Sequence, residues 1–117
     1  MPAREAGIIL MARGSRHFLP SASTQRIIHT LPITRVPGDG TPLSTWDGRV
    51  VTAVPLGEDA HAVLCEVDGE TIALSGVAVE RTGFFEAAEG GVLVEGQRVP
   101  LLSLSAELSR VREGGEA

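Results

Sequence analysis

The chain has 117 residues, room for one domain with a modest core. Hydrophobic residues make up 43% and charged residues 21%, an ordinary globular balance, and no apolar run nears the ~20 residues of a membrane span. The formal charge is −5 and all ten basic residues are Arg; an acidic chain without clustered cations is a poor ligand for nucleic acid.

The charge is uneven, +3 over residues 1–56 and −8 over 57–117. This reads first as a solvated surface, with complementary partner surfaces as the alternative. A single cysteine, Cys65, excludes an internal disulfide and fits a reducing cytoplasm. The apolar patch near the N-terminus is broken at Arg13, too soon for a secretory signal.

In chain order, Gly7–Met11 is an apolar run of strand length, Ala12–Arg16 a Gly-containing turn, and His17–Leu19 the returning strand. Pro20–Arg26 fits a single helical turn capped by Ser21. Ile27–His29 and Ile33–Arg35 are extended pieces around Leu31-Pro32. Pro32, Pro37, Pro42 and Pro55 keep helix out of the next stretch. There two apolar runs, Leu31–Gly38 and Leu43–Leu56, flank a polar Pro/Gly/Asp loop, and Gly48 sits at the foot of the second. The second run alternates, with Val50, Thr52 and Val54 opposed to Arg49, Val51 and Ala53, the period of a strand with one buried face.

Ala60–Val67 and Glu70–Leu74 flank Asp68-Gly69, a strong hairpin signal. Ser75-Gly76 marks a bulge or bend, after which Val77–Thr82 stays extended. Phe84 and Phe85 read as core, with one of them exposed if the second barrel is truncated. Gly90-Gly91 opens a last hairpin, Val92–Val94 against Gln97–Leu102, turning at Glu95-Gly96. Leu104, Leu108 and Val111 then follow helical spacing, with Ser103 or Ser105 as the cap. Short strands with Gly-containing turns and one short helix predict an all-β barrel architecture.

Read together, Leu10 through Gly38, with Arg26-Ile27-Ile28 and Leu31-Pro32-Ile33-Thr34-Arg35-Val36-Pro37-Gly38, resembles the start of a CheW-like chemotaxis coupling domain. Trp46–Leu56 is similar to that family's "Leu-Arg-Gly … Val-Ile-Pro-Val-x-Asp-Leu" motif, and Val99–Leu104 to its later part. The resemblance covers about residues 7–110 and rests on order rather than on any one motif. It implies two small SH3-like β-barrels, the second truncated because only Glu86–Glu89 separates Phe85 from Gly90. The expected layout is one domain over 1–112, with a first barrel at roughly 7–56, a second at roughly 57–102, and a flexible tail at 113–117.

The same resemblance implies a non-enzymatic cytoplasmic adaptor without cofactor or metal. Its partners would be a methyl-accepting chemoreceptor, whose tip docks between the barrels, and a CheA-type histidine kinase or another CheW-like protein. The partner-binding residues it suggests are Arg35, Val36, Trp46, Asp47 and Arg49. Two departures stand out: Asp47 occupies the place of the family's Arg, and Leu74-Ser75-Gly76-Val77 lacks its later Asp. They imply a divergent member, like the short Frz-type CheW homologues, that keeps the receptor and loses ordinary kinase coupling.

Several of these residues have a second reading. Trp46 serves equally as an exposed anchor or as core. Asp47 suits a tight turn, and Arg35 and Arg49 suit solvated strand positions. His17, His29 and His61 show no ligand spacing, and Cys65 alternates inward with Val63 and Val67 as a small hydrophobe. An enzyme would need converging titratable groups, and no acid–base pair stands out. The alternative to the adaptor is an oligomerising β-barrel module.

Overall fold

The structure, a computed structural model, describes residues 3–29, 34–35 and 42–112. Its elements are β1 (Arg4–Ala12), β2 (Ser15–Pro20), a 3-10 turn (Ser21–Ser23), β3 (Thr24–Ile28), β4 (Thr34–Arg35), β5 (Pro42–Trp46) and β6 (Arg49–Pro55). There follow β7 (His61–Val67), β8 (Glu70–Ala88), β9 (Gly91–Val94), β10 (Gln97–Pro100) and a helix, α1 (Leu104–Arg112). The all-β expectation with a short C-terminal helix holds.

Local chemistry sets the hairpins. Arg13-Gly14, Asp47-Gly48, Asp68-Gly69 and Glu95-Gly96 all have positive φ at both residues. This is the primed turn whose twist matches the flanking strands, and Gly in second place makes it cheap. The 3-10 turn is entered at Pro20 and has no side-chain cap, so Ser21 does not play the expected role. Ser103 does, since its Oγ accepts from the Ala106 N–H at 3.4 Å.

The strands form two sheets that share β8. In one, β1 lies between β2 and the second half of β8, which also pairs with β9, and β9 with β10. A parallel bridge from Phe18 to Leu101, with the Leu102 N–H donating to the Phe18 carbonyl at 2.9 Å, brings β2 back to the end of β10. This ring is the terminal barrel. The other sheet runs β3, β7, first half of β8, β6, β5, β4, with β6 and β8 parallel. It curls until Arg26 on β3 lies over the Trp46 ring on β5, 5.3 Å from its centroid. This is the central barrel.

The barrels therefore do not divide the chain at residue 56 or 57. The terminal barrel takes strands from both ends of the chain and the central barrel takes the middle, because the 19-residue β8 passes through both. Sequence clustering had separated what one long strand joins. The abbreviation expected after Phe85 shows as a turn at Glu89-Gly90. The terminal ring closes at a thin seam, the Phe18–Leu101 bridge.

Three apolar clusters result. Ile9, Phe18, Phe85, Val92, Val94 and Val99 fill the terminal barrel. Val51, Leu64 and Ala73, with Ile28 and Trp46 against them, fill the central one. Between the barrels lies the largest cluster, including Ile8, Leu10, Leu19, Val54, Val63, Cys65, Ile72 and Leu74, with Leu104 and Leu108 of α1. Strands between two cores must bury both faces, which is why they read as continuous apolar runs. On β6, Val54 enters the inter-barrel cluster and Val51 the barrel interior, so this strand has two buried faces rather than one.

Helix α1 is fastened at its surface as well. Glu107 accepts from Arg13 (Nη1 to Oε2, 3.0 Å) and from Arg110, and Glu70 accepts from Arg112. Cys65 is fully buried, and desolvation pushes its thiol up from 9.0 to about 12. A thiol ionises more easily once unfolding exposes it, so stability is fully present below the unfolded pKa and falls as pH rises from 9 towards 12. Urea titrations at pH 8 and pH 10 are expected to show that loss in the wild type and a smaller one in Cys65→Ala. Equal losses would mean the thiol is not the cause.

Candidate docking surface

The β5–β6 hairpin puts Trp46 and Arg49 opposite each other, with Asp47-Gly48 as the turn. Trp46, Asp47 and Arg49 line a shallow hollow of about 280 Å³ at the mouth of the central barrel, completed by Gln25, Val51 and Thr71. Trp46 is half-buried: one part leans on the Val51–Leu64–Ala73 cluster and the ring carries the Arg26 guanidinium. It is thus core support and rim at once. An exposed cation–π contact of this kind adds about 0.5–1 kcal/mol.

Asp47 is exposed at φ +54, a left-handed position that Asp tolerates better than most residues. The turn reading therefore accounts for its presence. Arg49 is exposed, and neither it nor Arg26 joins an ion pair among the described residues. Next to Arg49, Val50 is two-thirds exposed at 66%. Arg35 lies on β4, its backbone opposite Pro42. Val36 falls outside the described residues. Arg26 escaped the sequence reading because its neighbour Trp46 is distant in the chain and separated from it by three strands in the sheet.

A second hollow, about 320 Å³, lies where the barrels meet. Pro20, Val67 and the half-exposed Leu101 give it apolar walls, with Glu66 and Ser105 on the rim. Glu66 of this groove pairs across the hairpin with Thr71 of the barrel mouth, so the two hollows adjoin. Elsewhere Phe85 is buried, but Phe84 is 70% exposed, beside the Arg81–Glu95 ion pair at 3.4 Å. Only one of the two phenylalanines is core, because neighbours on a strand face opposite ways.

This arrangement superposes on the crystal structure of the scaffolding protein TtCheW from Thermoanaerobacter tengcongensis, with a TM-score of 0.68 over 89% of this chain and 90% of that one. The fold is CheW-like. Sequence identity is 12%, so the likeness is one of fold. No family model matches the chain, and no curated protein matches it in sequence.

Among the described residues no three His, Cys, Asp or Glu side chains gather as metal ligands. The fold does bring His29 and His61 together, ring centroids 5.3 Å apart, a pairing their spacing in the chain did not reveal. Among the same residues no helix is long and apolar enough to cross a membrane.

Proposed function

We propose that this protein is a non-enzymatic cytoplasmic adaptor of a bacterial chemosensory system, docking a chemoreceptor tip. The observation that carries the reading is the paired-barrel fold, matched along nearly the whole length of a CheW scaffolding protein. The adjoining hollows support it: apolar walls at Pro20 and Leu101 and an exposed cation at Arg49 suit a rigid helical ligand. Arg35 and Val36 would extend that contact.

Asp47 stands where the CheW-like motif this segment resembles has an Arg. A reversed charge at a rim repels a partner that has not changed. The chain is therefore proposed to keep the receptor and to have lost the CheA-type kinase, as in Frz-type homologues. Isothermal titration with a receptor tip fragment tests this. Arg49→Glu is expected to weaken binding about tenfold, since one close rim or hot-spot charge is worth about 1–2 kcal/mol. Unchanged affinity would remove the proposed surface. Tight binding to a CheA regulatory domain would contradict the lost coupling. A tight homodimer by light scattering, without tip affinity, would favour an oligomerising module, a reading that exposed Phe84 supports.

A further inference from the structure

The long strand β8 changes barrels just past Gly76. Its register against β7 jumps there, from Ala62 opposite Ser75 to His61 opposite Val77. His61 is the first residue of β7, so beyond it the neighbouring strand offers no more backbone. The next amide of β8 on that side, Val79 N–H, finds a side chain instead. It donates to His61 Nδ1 at 3.0 Å. On its other side this part of β8 faces Leu10 and Met11 of β1, which carry no charge.

An Nδ1 that accepts a backbone N–H must keep its lone pair, so the native ring is neutral with its proton on Nε2. Protonating Nδ1 replaces the acceptor with a donor aimed at another donor. His29, 5.3 Å away, adds a like charge when it is also protonated. The other charged groups nearby are Glu58 and Asp59 on the loop entering β7, where Asp59 N–H donates to the Gly76 carbonyl at 3.1 Å, and Glu80 on β8. Glu80 is held by Arg16 at 2.9 Å.

We propose that His61 is a proton-sensitive latch between the two barrels: neutral, it clamps β8 at the crossing; protonated, it lets go. The latch stabilises the crossing while the ring is neutral, and its contribution is lost when acid protonates Nδ1. This inference does not depend on the docking reading.

The full chain and its His61→Asn variant test it. The Asn carbonyl oxygen lies where Nδ1 lies and accepts at any pH. Protection of the Val79 amide from hydrogen exchange, corrected for intrinsic rates, is expected to fall about tenfold from pH 8 to pH 5.5 in the wild type, the weight of one hydrogen bond. In His61→Asn it should hold steady. Equal falls in both would overturn the latch. Ring nitrogen shifts of the wild type give a reading that needs no variant: a proton on Nε2 at pH 8 supports the proposal, and a proton on Nδ1 overturns it.

Discussion

Replacing Gly76 by alanine is expected to cost about 4 kcal/mol, a large share of what holds a domain of this size together. Two penalties combine. Gly76 has φ +73, where an L side chain is strained by about 1–2 kcal/mol. A Cβ there would also lie 2.0 Å from the Gly57 carbonyl oxygen and 2.5 Å from its carbon. Both are backbone atoms, so no side chain can swing aside. The surrounding bonds fix the approach: Leu56 N–H donates to the Ser75 carbonyl at 2.9 Å and Arg13 N–H to the Leu56 carbonyl at 2.7 Å. Gly48 supplies the control, with φ +77 and nothing within 4 Å of an added Cβ. Gly48→Ala should lose only the strain term, about 1 kcal/mol. Urea midpoints for the two variants decide. If Gly76→Ala is no worse than Gly48→Ala, the crossing of the two segments is not what makes glycine necessary.

Gly76 also shows where reading the sequence stops. Ser75-Gly76 announces an irregular strand, and it is one, but nothing local says that Gly57 is the neighbour that requires it. The same division runs through the molecule. Asp68-Gly69 and Glu95-Gly96 specify hairpins because turn chemistry is written in adjacent residues. The helix after Ser103 is legible because its cap and its buried Leu104 and Leu108 lie within three turns. The partition into barrels is not legible that way. Glu70–Leu74 and Val77–Thr82 look like separate pieces, and only tertiary pairing makes them one strand serving two sheets.

The candidate surface follows suit. The resemblance named Trp46, Asp47 and Arg49, and the β5–β6 turn sets all three along one hollow. Arg26 and the His29–His61 pair were missed because sheet curvature, not chain proximity, brings them together. Trp46 had two readings because the rim of a small barrel is both surface and core, and its half-burial keeps both in play. Ser21 failed as a cap for a plainer reason: Pro20 already sets the entry to a turn of only three residues.

Phe18→Ala carries the other large effect, about 4 kcal/mol. Phe18 is fully buried in a cluster of six residues, so few neighbours can relax into the space its ring would leave. Its ring meets Phe85 edge-on at 6.0 Å, and it presses on Gly7, where an added Cβ would come within 2.5 Å of the ring. Its backbone is at the same time half of the seam, bridging to Leu101 and accepting from Leu102. A cavity under Phe18 therefore sits beneath the least-paired junction of the terminal barrel. Phe18→Leu, which keeps most of the volume, should lose about 1.5 kcal/mol. Phe84→Ala, at an exposed site, should change stability by about 0.5 kcal/mol or less. Because β8 belongs to both barrels, all three variants should still unfold in one transition by circular dichroism and tryptophan fluorescence alike. Trp46 reports from the central barrel, so the weakened terminal barrel and the fluorescence must fall together. A fluorescence midpoint that stays at the wild-type value in Phe18→Ala would mean that the shared strand does not couple the two barrels.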